Sequence, residues 1–262
     1  MLAPKALPTA FAEWNDRFHA PFGPPEIWNV PLHERFVPAY AATAGYFAFQ
    51  YNNDTRVFEY PWAFHAVPVG PGSRVVEVGG ALAGFQWALA AAGADVTNVD
   101  PFEPYGSEDL YPGDVESLHR QLNEWFGLNV RLKRTTLADS GLEPSAFDIV
   151  YSISTLEHLS REQLQSTLTA ARKLLKPGGA LVLTVDLFLE LHPFTNQEAN
   201  RWGANVSMAD VVARSGLTLE QGDASELYGF AAFDARRVQS QLQRYLVGAR
   251  QPTLVQACVL RK

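Results

Sequence analysis

The sequence predicts an α/β protein: a largely parallel sheet with helices on both faces, preceded by an N-terminal helical cap. Three observations carry this. Short apolar, β-branched segments recur (RVVEV at 74–78, DVTNV at 95–99, FDIVYSI at 147–153, ALVLTVDLF at 180–188), with helical stretches between them. Pro and Gly clusters stand at the joints, and residues 1–70 differ in character, being dense in aromatics and proline. Short apolar strands separated by helices imply a parallel sheet buried on both faces, with right-handed crossovers.

Taken in order, helices are expected around 8–19 and 32–50 in the cap, and PVGPGS (68–73) is a turn delivering the chain into RVVEV, because Pro and Gly punctuate and β-branched residues follow. A helix follows from about 83 to 92, then DVTNV, a helix from about 112 to 126, the strand NVRLKR, FDIVYSI, a helix from about 161 to 175, and ALVLTVDLF. After residue 187 the rhythm breaks. A polar and aromatic segment leads to a short helix near 208–215, the strand GLTLEQ, a helix around 234–247 and the closing strand TLVQACVL. The expected division is therefore a cap over 1–70 and a main domain over 71–262, with an insertion at about 187–250 on the substrate side.

Composition narrows the function. A chain of 262 residues with 47% hydrophobic content can bury one sizeable core plus a modest accessory unit. A formal charge of −7 argues against a surface that tracks nucleic-acid phosphates or anionic lipid. The one cysteine, Cys258, lies within TLVQACVL and is expected to pack in a strand. No run approaches the roughly 20 apolar residues of a membrane span, and the N-terminus lacks a signal-peptide pattern, so a cytoplasmic protein without membrane partners is expected.

In an open parallel sheet, ligands bind beyond the carboxyl ends of the strands where strand order reverses. That places Glu77 to Gly84, Asp100, Ala138–Ser140, Ser152–His158 and the residues from Asp186 onward at the candidate site. A triphosphate loop would need GK[ST], but Gly84 is followed by Phe85 and Gln86. Gly79, Ala81 and Gly84 trace G-x-A-x-x-G, and Asp100 stands about 20 residues on, which fits a dinucleotide fingerprint in part. Glu77 sits badly against a pyrophosphate but suits an ammonium. An amino-acid end, a ribose and an adenine without phosphate would satisfy an acid on each of the first two strands. S-adenosylmethionine is such a molecule.

The successive segments VVEVGGALAGF, VTNVDPF, ADSGLEPSAFDIVYSISTLEHL and ARKLLKPGGALVLTVDLF resemble the motifs of class I SAM-dependent methyltransferases, in particular the subgroup marked by FDxV, LEH and LKPGG. The resemblance covers about residues 70–190 and implies a seven-stranded, mostly parallel Rossmann-like sheet that transfers a methyl group from S-adenosylmethionine to a small-molecule acceptor. It implies that the backbone at Gly79, Gly80 and Ala81 meets the methionine portion, with Glu77 orienting it. Asp100 would take the ribose hydroxyls, and Pro101 or Phe102 would pack on the adenine. Asp139 would bind the adenine amino group, the Ser140 backbone would read the ring, and Ser152 would line the cleft floor with Ser154. Ala81 and Ala83 stand where the family has its second and third glycines, so the loop departs from the family pattern where positive φ and close approach are needed.

Methyl transfer is an in-line displacement, so alignment dominates and no metal is required. A base is needed only if the acceptor must first lose a proton. His158 in LEH and His192 in ELHPF are the candidates, with structural roles as the alternative for each; His65 is expected to pack among aromatics. Asn196, Gln197, Asn200, Arg201 and Trp202 could read a polar acceptor. The alternatives to a methyltransferase are a nicotinamide-dependent oxidoreductase using Gly79, Ala81, Gly84 and Asp100, and a non-catalytic binding module on the same fold.

Overall fold

A computed structural model describes residues 1–102 and 111–262. Seven strands are present among them: β1 (Arg74–Val78), β2 (Asp95–Val99), β3 (Arg131–Lys133), β4 (Phe147–Ile153), β5 (Leu175–Phe188), β6 (Thr218–Gln221) and β7 (Thr253–Arg261). They form one sheet in the order β3-β2-β1-β4-β5-β7-β6. β1 pairs in parallel with β2 and β4, β2 with β3, and β4 with β5, while β7 runs antiparallel between β5 and β6. Strand order reverses between β1 and β4, so their carboxyl ends open on one crevice.

The α-helices among the described residues are α1 (Thr9–Phe18), α2 (Pro38–Ala44), α3 (Arg56–Ala66), α4 (Phe85–Ala91), α5 (Val115–Phe126), α6 (Arg161–Leu174), α7 (Met208–Ser215) and α8 (Ala235–Ser240). Capping fixes several starts: Asp114 accepts from the Ser117 amide, and Ser160 with Gln163 makes a reciprocal capping box on α6. One face of the sheet is covered by the N-terminal helices with α4 and α5, through Phe47, Phe85, Trp87 and Tyr151. The other is covered by α6 and α7, through Leu168, Leu174, Val211 and Leu260. Cys258 is buried in β7.

The cap departs from the expected single helix over 32–50. Pro38 opens α2 and Gly45, at φ 70°, ends it, leaving 3₁₀ turns at Leu32–Arg35 and Tyr46–Phe49. The helix expected over 234–247 likewise closes at Ser240 and continues as a 3₁₀ turn, Leu242–Arg244. α3 has no counterpart in the sequence reading because Pro61 lies inside it. A proline there removes the amide that would bond the Val57 carbonyl. The Asn15 side-chain amide supplies the missing donor at 2.7 Å, so α3 survives its proline by borrowing from α1.

Candidate functional site

After β1 the chain turns through Gly79, at φ 72°, and Ala81, at φ 42°. For alanine a left-handed φ costs about 1–2 kcal/mol, and the surroundings hold it there. The Ala81 amide donates to Asp100 Oδ2 at 2.8 Å, and its carbonyl accepts from Asn98 Nδ2 at 2.7 Å and Gln86 Nε2 at 3.0 Å. Asp100 Oδ1 accepts from the Phe102 amide at 2.6 Å. One buried carboxylate thus ties the first loop to the second. Burial pushes the Asp100 carboxyl upward, and these two backbone hydrogen bonds oppose the rise. On α4 side of the loop, Gly84 lies flat against the cap: an added Cβ would stand 2.7 Å from the Phe47 ring and 2.8 Å from the Tyr46 backbone.

Beside this loop is a cavity of about 330 Å³, within the size range of cofactor sites. Its wall includes Gly79, Ala81, Asp100, Pro101 and Phe102 on one side, and Leu137, Ser154, Thr155 and His158 on the other. Other residues singled out from sequence stand outside that wall. Glu77 is buried beneath the loop, where an added Cβ on Gly80 would lie 2.9 Å from Glu77 Oε2 and 2.8 Å from Asn98 Oδ1. Neither of those oxygens has a hydrogen-bond partner among the described residues, and burial followed by the Asp100 charge raises the Glu77 carboxyl to about 8. Asp139 is exposed and turns back to Thr136, Ser140 is buried with its hydroxyl on the Leu137 carbonyl, and the buried Ser152 hydroxyl has no partner.

A second cavity, of about 780 Å³, lies at the ends of β4 and β5 against the cap and is lined by Arg56, His158, Asp186, Glu190, Arg201 and Trp202, among others. Asn52 and Asn53 join it from the cap side. His158 borders both cavities. Its Nδ1 faces the Trp202 carbonyl. A carbonyl can only accept, so Nδ1 carries the hydrogen. Burial lowers the pKa of this imidazole. His192 lines neither cavity; its carbonyl accepts from Asn205 and its ring meets Tyr228 edge-on. Asn200 and Arg201 border the second cavity, whereas Asn196 and Gln197 do not. His65 stacks on Phe11 within the cap.

Between the cavities lies a buried ionic cluster. Arg56 pairs with Glu59 and donates to Ser154 Oγ at 2.8 Å. Ser154, at φ 40°, and Thr184 each donate to Glu59 Oε2 at 2.6 Å. Glu157 Oε1 accepts from the Asp186 amide at 3.0 Å, and Glu157 Oε2 has no partner. Three buried carboxyls therefore face one guanidinium. Burial, and then the charges of Glu157 and Glu59, push Asp186 well above the ordinary carboxylate range. Burial raises Glu157 to about 7. Burial works against the Arg56 charge, and Glu59, Tyr60, Asp186 and Glu157 together more than offset it, so its pKa is raised. The sequence reading missed Arg56 and Glu59. Their signal was an ion-pair spacing, Arg-x-x-Glu, set among aromatics that leave it no water.

The sheet order, the two acid-bearing strand ends and the crevice between β1 and β4 define a class I, Rossmann-like methyltransferase fold. Residues 76–181 match the family model described as a methyltransferase domain. More particularly, that part of the chain is similar to methyltransferase domains, and its fold is the one that S-adenosylmethionine-dependent methyltransferases share. The chain is similar to a compactin diketide synthase of Penicillium citrinum, 33% identical over 116 residues, which are 43% of this chain and 4% of that protein. It is also similar to a highly reducing polyketide synthase of Aspergillus niger, 26% identical over 187 residues, 62% of this chain and 7% of the other. The matched segment is thus a small part of both relatives. Among solved structures, a SAM-dependent methyltransferase from Mesorhizobium loti superposes with a TM-score of 0.54 at 16% identity, covering 78% of this chain and 97% of that one. One from Aquifex aeolicus gives 0.52 at 12%, covering 79% and 94%. The [4+2]-cyclase SpnF gives 0.54 at 15%, covering 88% and 93%.

The residues present fit the methyl donor of this class. Each Asp100 oxygen accepts one backbone hydrogen bond and retains a second lone pair for a ribose hydroxyl. Pro101, Phe102 and Leu137 give the same cavity an apolar end suited to adenine.

Proposed function

We propose that the protein transfers a methyl group from S-adenosylmethionine to a small-molecule acceptor. The observation that carries this reading is the meeting of a cofactor-sized cavity with a wider polar one, with His158 lining both and Ser154 and Asp186 at the seam, 3.4 Å apart. When bound, S-adenosylmethionine supplies an electrophilic methyl on a sulfonium. Asp100 holds the ribose, and Pro101, Phe102 and Leu137 hold the adenine. The Gly79–Ala81 backbone bounds the methionine end, with Glu77 supporting it from beneath. The acceptor enters the second cavity, where Asp186 receives its proton. Glu157 holds the Asp186 backbone, and the Arg56–Glu59 pair with Ser154 fixes the floor on which both stand. His158, held by Trp202, shapes the wall between donor and acceptor.

A net charge of −7 supports an acceptor other than a nucleic acid. Among the described residues no helix is long and apolar enough to cross a membrane. In this reading the protein works in the cytoplasm on a small acceptor, and its likeness to polyketide synthases makes polyketide-type molecules the first acceptors to try. The test has two stages. Thermal shifts are measured with S-adenosylmethionine, S-adenosylhomocysteine, NAD and NADP, and stabilisation by the first two alone is expected. Isotope-labelled methyl transfer is then followed in a panel of small molecules. Stabilisation by a nicotinamide nucleotide alone would overturn the reading in favour of an oxidoreductase. Binding of S-adenosylmethionine with no transfer to any acceptor would favour a non-methylating role on the same fold.

A further inference from the structure

The donor loop carries an alanine, Ala81, where left-handed backbone favours glycine, while Ala83 two residues on keeps an ordinary φ, and a second feature of the structure answers the deficit at Ala81. The Gln86 side chain, fully buried in the first turn of α4, is aimed back under the loop. Its Nε2 donates to the carbonyls of both Ala81, at 3.0 Å, and Ala83, at 3.1 Å. A carboxamide nitrogen has two hydrogens, and both are committed. Gln86 Oε1 can therefore only accept, and it faces His119 Nε2 at 3.0 Å. The hydrogen of that contact must sit on His119, which fixes the imidazole as the Nε2–H tautomer. His119 is buried on α5 against Trp87, and Trp87 in turn donates from its indole to Asn123 of the same helix. A chain of directed hydrogen bonds thus runs from α5 through one carboxamide to the two alanine carbonyls.

This arrangement does more than fill space. Among the described contacts, a leucine of similar size at residue 86 would keep the packing but leave both carbonyls without the Gln86 donor. Ala83 would lose its side-chain partner, and Ala81 would keep Asn98 alone. The left-handed turn at Ala81 would then rest on Asn98 and Asp100. Neither of these touches Ala83, so the last part of the loop before α4 would be released.

We infer that Gln86, oriented by His119, is a positioning residue that holds the alanine-bearing loop in its donor-binding shape and takes over the role glycine plays in the family pattern. The inference rests on the donor-binding reading given above. It makes a specific epistatic claim. The need for Gln86 arises from the β-carbon at residue 81, so removing that β-carbon relieves it.

The test uses the full chain and calorimetric affinities for S-adenosylmethionine and S-adenosylhomocysteine across four proteins: parent, Gln86→Leu, Ala81→Gly and the double variant. Gln86→Leu is expected to weaken both ligands at least tenfold. Ala81→Gly alone gives the affinities against which the double variant is read. The double variant should recover most of the loss, which a merely structural role for Gln86 would not produce. Amide exchange at Ala81 and Ala83 provides a readout without ligand: it should accelerate in Gln86→Leu and slow again in the double variant. His119→Leu should reproduce the Gln86→Leu loss in part, and His119→Gln, which keeps a donor, should restore it. Parent-like affinity in Gln86→Leu, or a loss that Ala81→Gly leaves untouched, would overturn the inference while leaving the cofactor reading intact. If the parent binds neither ligand, the cofactor reading falls and this inference falls with it, whereas binding by the parent separates the two. Should Gln86→Leu fail to fold, the His119→Leu and His119→Gln pair carries the same comparison, with unequal affinities expected and equal ones overturning it.

Discussion

The two halves of the crevice are built on opposite principles. On the donor side, beyond β1 and β2, the buried Asp100 carboxylate is satisfied by two amides of its own loops. On the acceptor side, beyond β4 and β5, the defining groups are side chains, and Glu59, Glu157 and Asp186 share a single buried guanidinium. At Asp100 the first half is settled by local hydrogen bonding, with Glu77 Oε2 unpartnered beneath the loop among the described residues. The second is left with an excess of acid whose proton affinity burial raises, which makes an ionised carboxyl there a stronger base. A site that binds a fixed cofactor can be satisfied in advance, whereas one that takes a proton must keep a group poised for it.

The contrast breaks most visibly at Arg56. Arg56→Met strands the Glu59 carboxylate in a buried setting, and about 3 kcal/mol of stability should be lost by denaturant unfolding. A fall of under 1 kcal/mol would mean that the Glu59 hydroxyl donors, Ser154 and Thr184, suffice alone. Asp186→Asn comes next. Methyl transfer to the acceptor found by screening should fall roughly 100-fold, with S-adenosylmethionine affinity within about twofold of the parent. Loss of affinity together with rate would place Asp186 on the donor side instead. Asp100→Ala should show the reverse signature in calorimetry, weakening S-adenosylmethionine more than tenfold, about 1.4 kcal/mol or more, because it removes the ribose contact and releases two amides.

The smallest effect is expected at Glu77. Its folded pKa is raised, so its proton-linked stability is fully present below the ordinary carboxylate range and is lost as pH rises through about 8. Glu77→Gln cannot ionise and offers a donor to the unpartnered Asn98 Oδ1. Its melting temperature should exceed that of the parent by several degrees at pH 9, with the gap closing toward pH 5. A gap that does not vary with pH would show that Glu77 keeps its usual ionisation under the loop.

What the sequence disclosed follows the same divide. The strands, the loop after β1 and Asp100 are local signals: β-branched runs, glycines at a turn and an acid at a strand end can be read within a few residues. The helix Arg56–Ala66 was hidden because Pro61 reads as a breaker, and the compensating donor, Asn15, lies 42 residues away. Glu157 and Asp186 meet because β4 and β5 pair in parallel, a contact across 29 residues that no spacing rule announces. His158 and His192 drew attention as titratable groups at strand ends, yet the more strongly shifted groups at the seam are carboxyls, whose burial is a tertiary fact.

The close seating of Gly84 on Phe47 and Tyr46 bears on how such an enzyme can be re-engineered. A cap exchanged from another protein of this fold to bring in a new acceptor would have to present an equally flat face at that one point, since any side chain at residue 84 would wedge the two units apart. The N-terminal segment and the loop after β1 are therefore not separate modules: chimaeras should be cut so that residues 46–47 and 84 travel together.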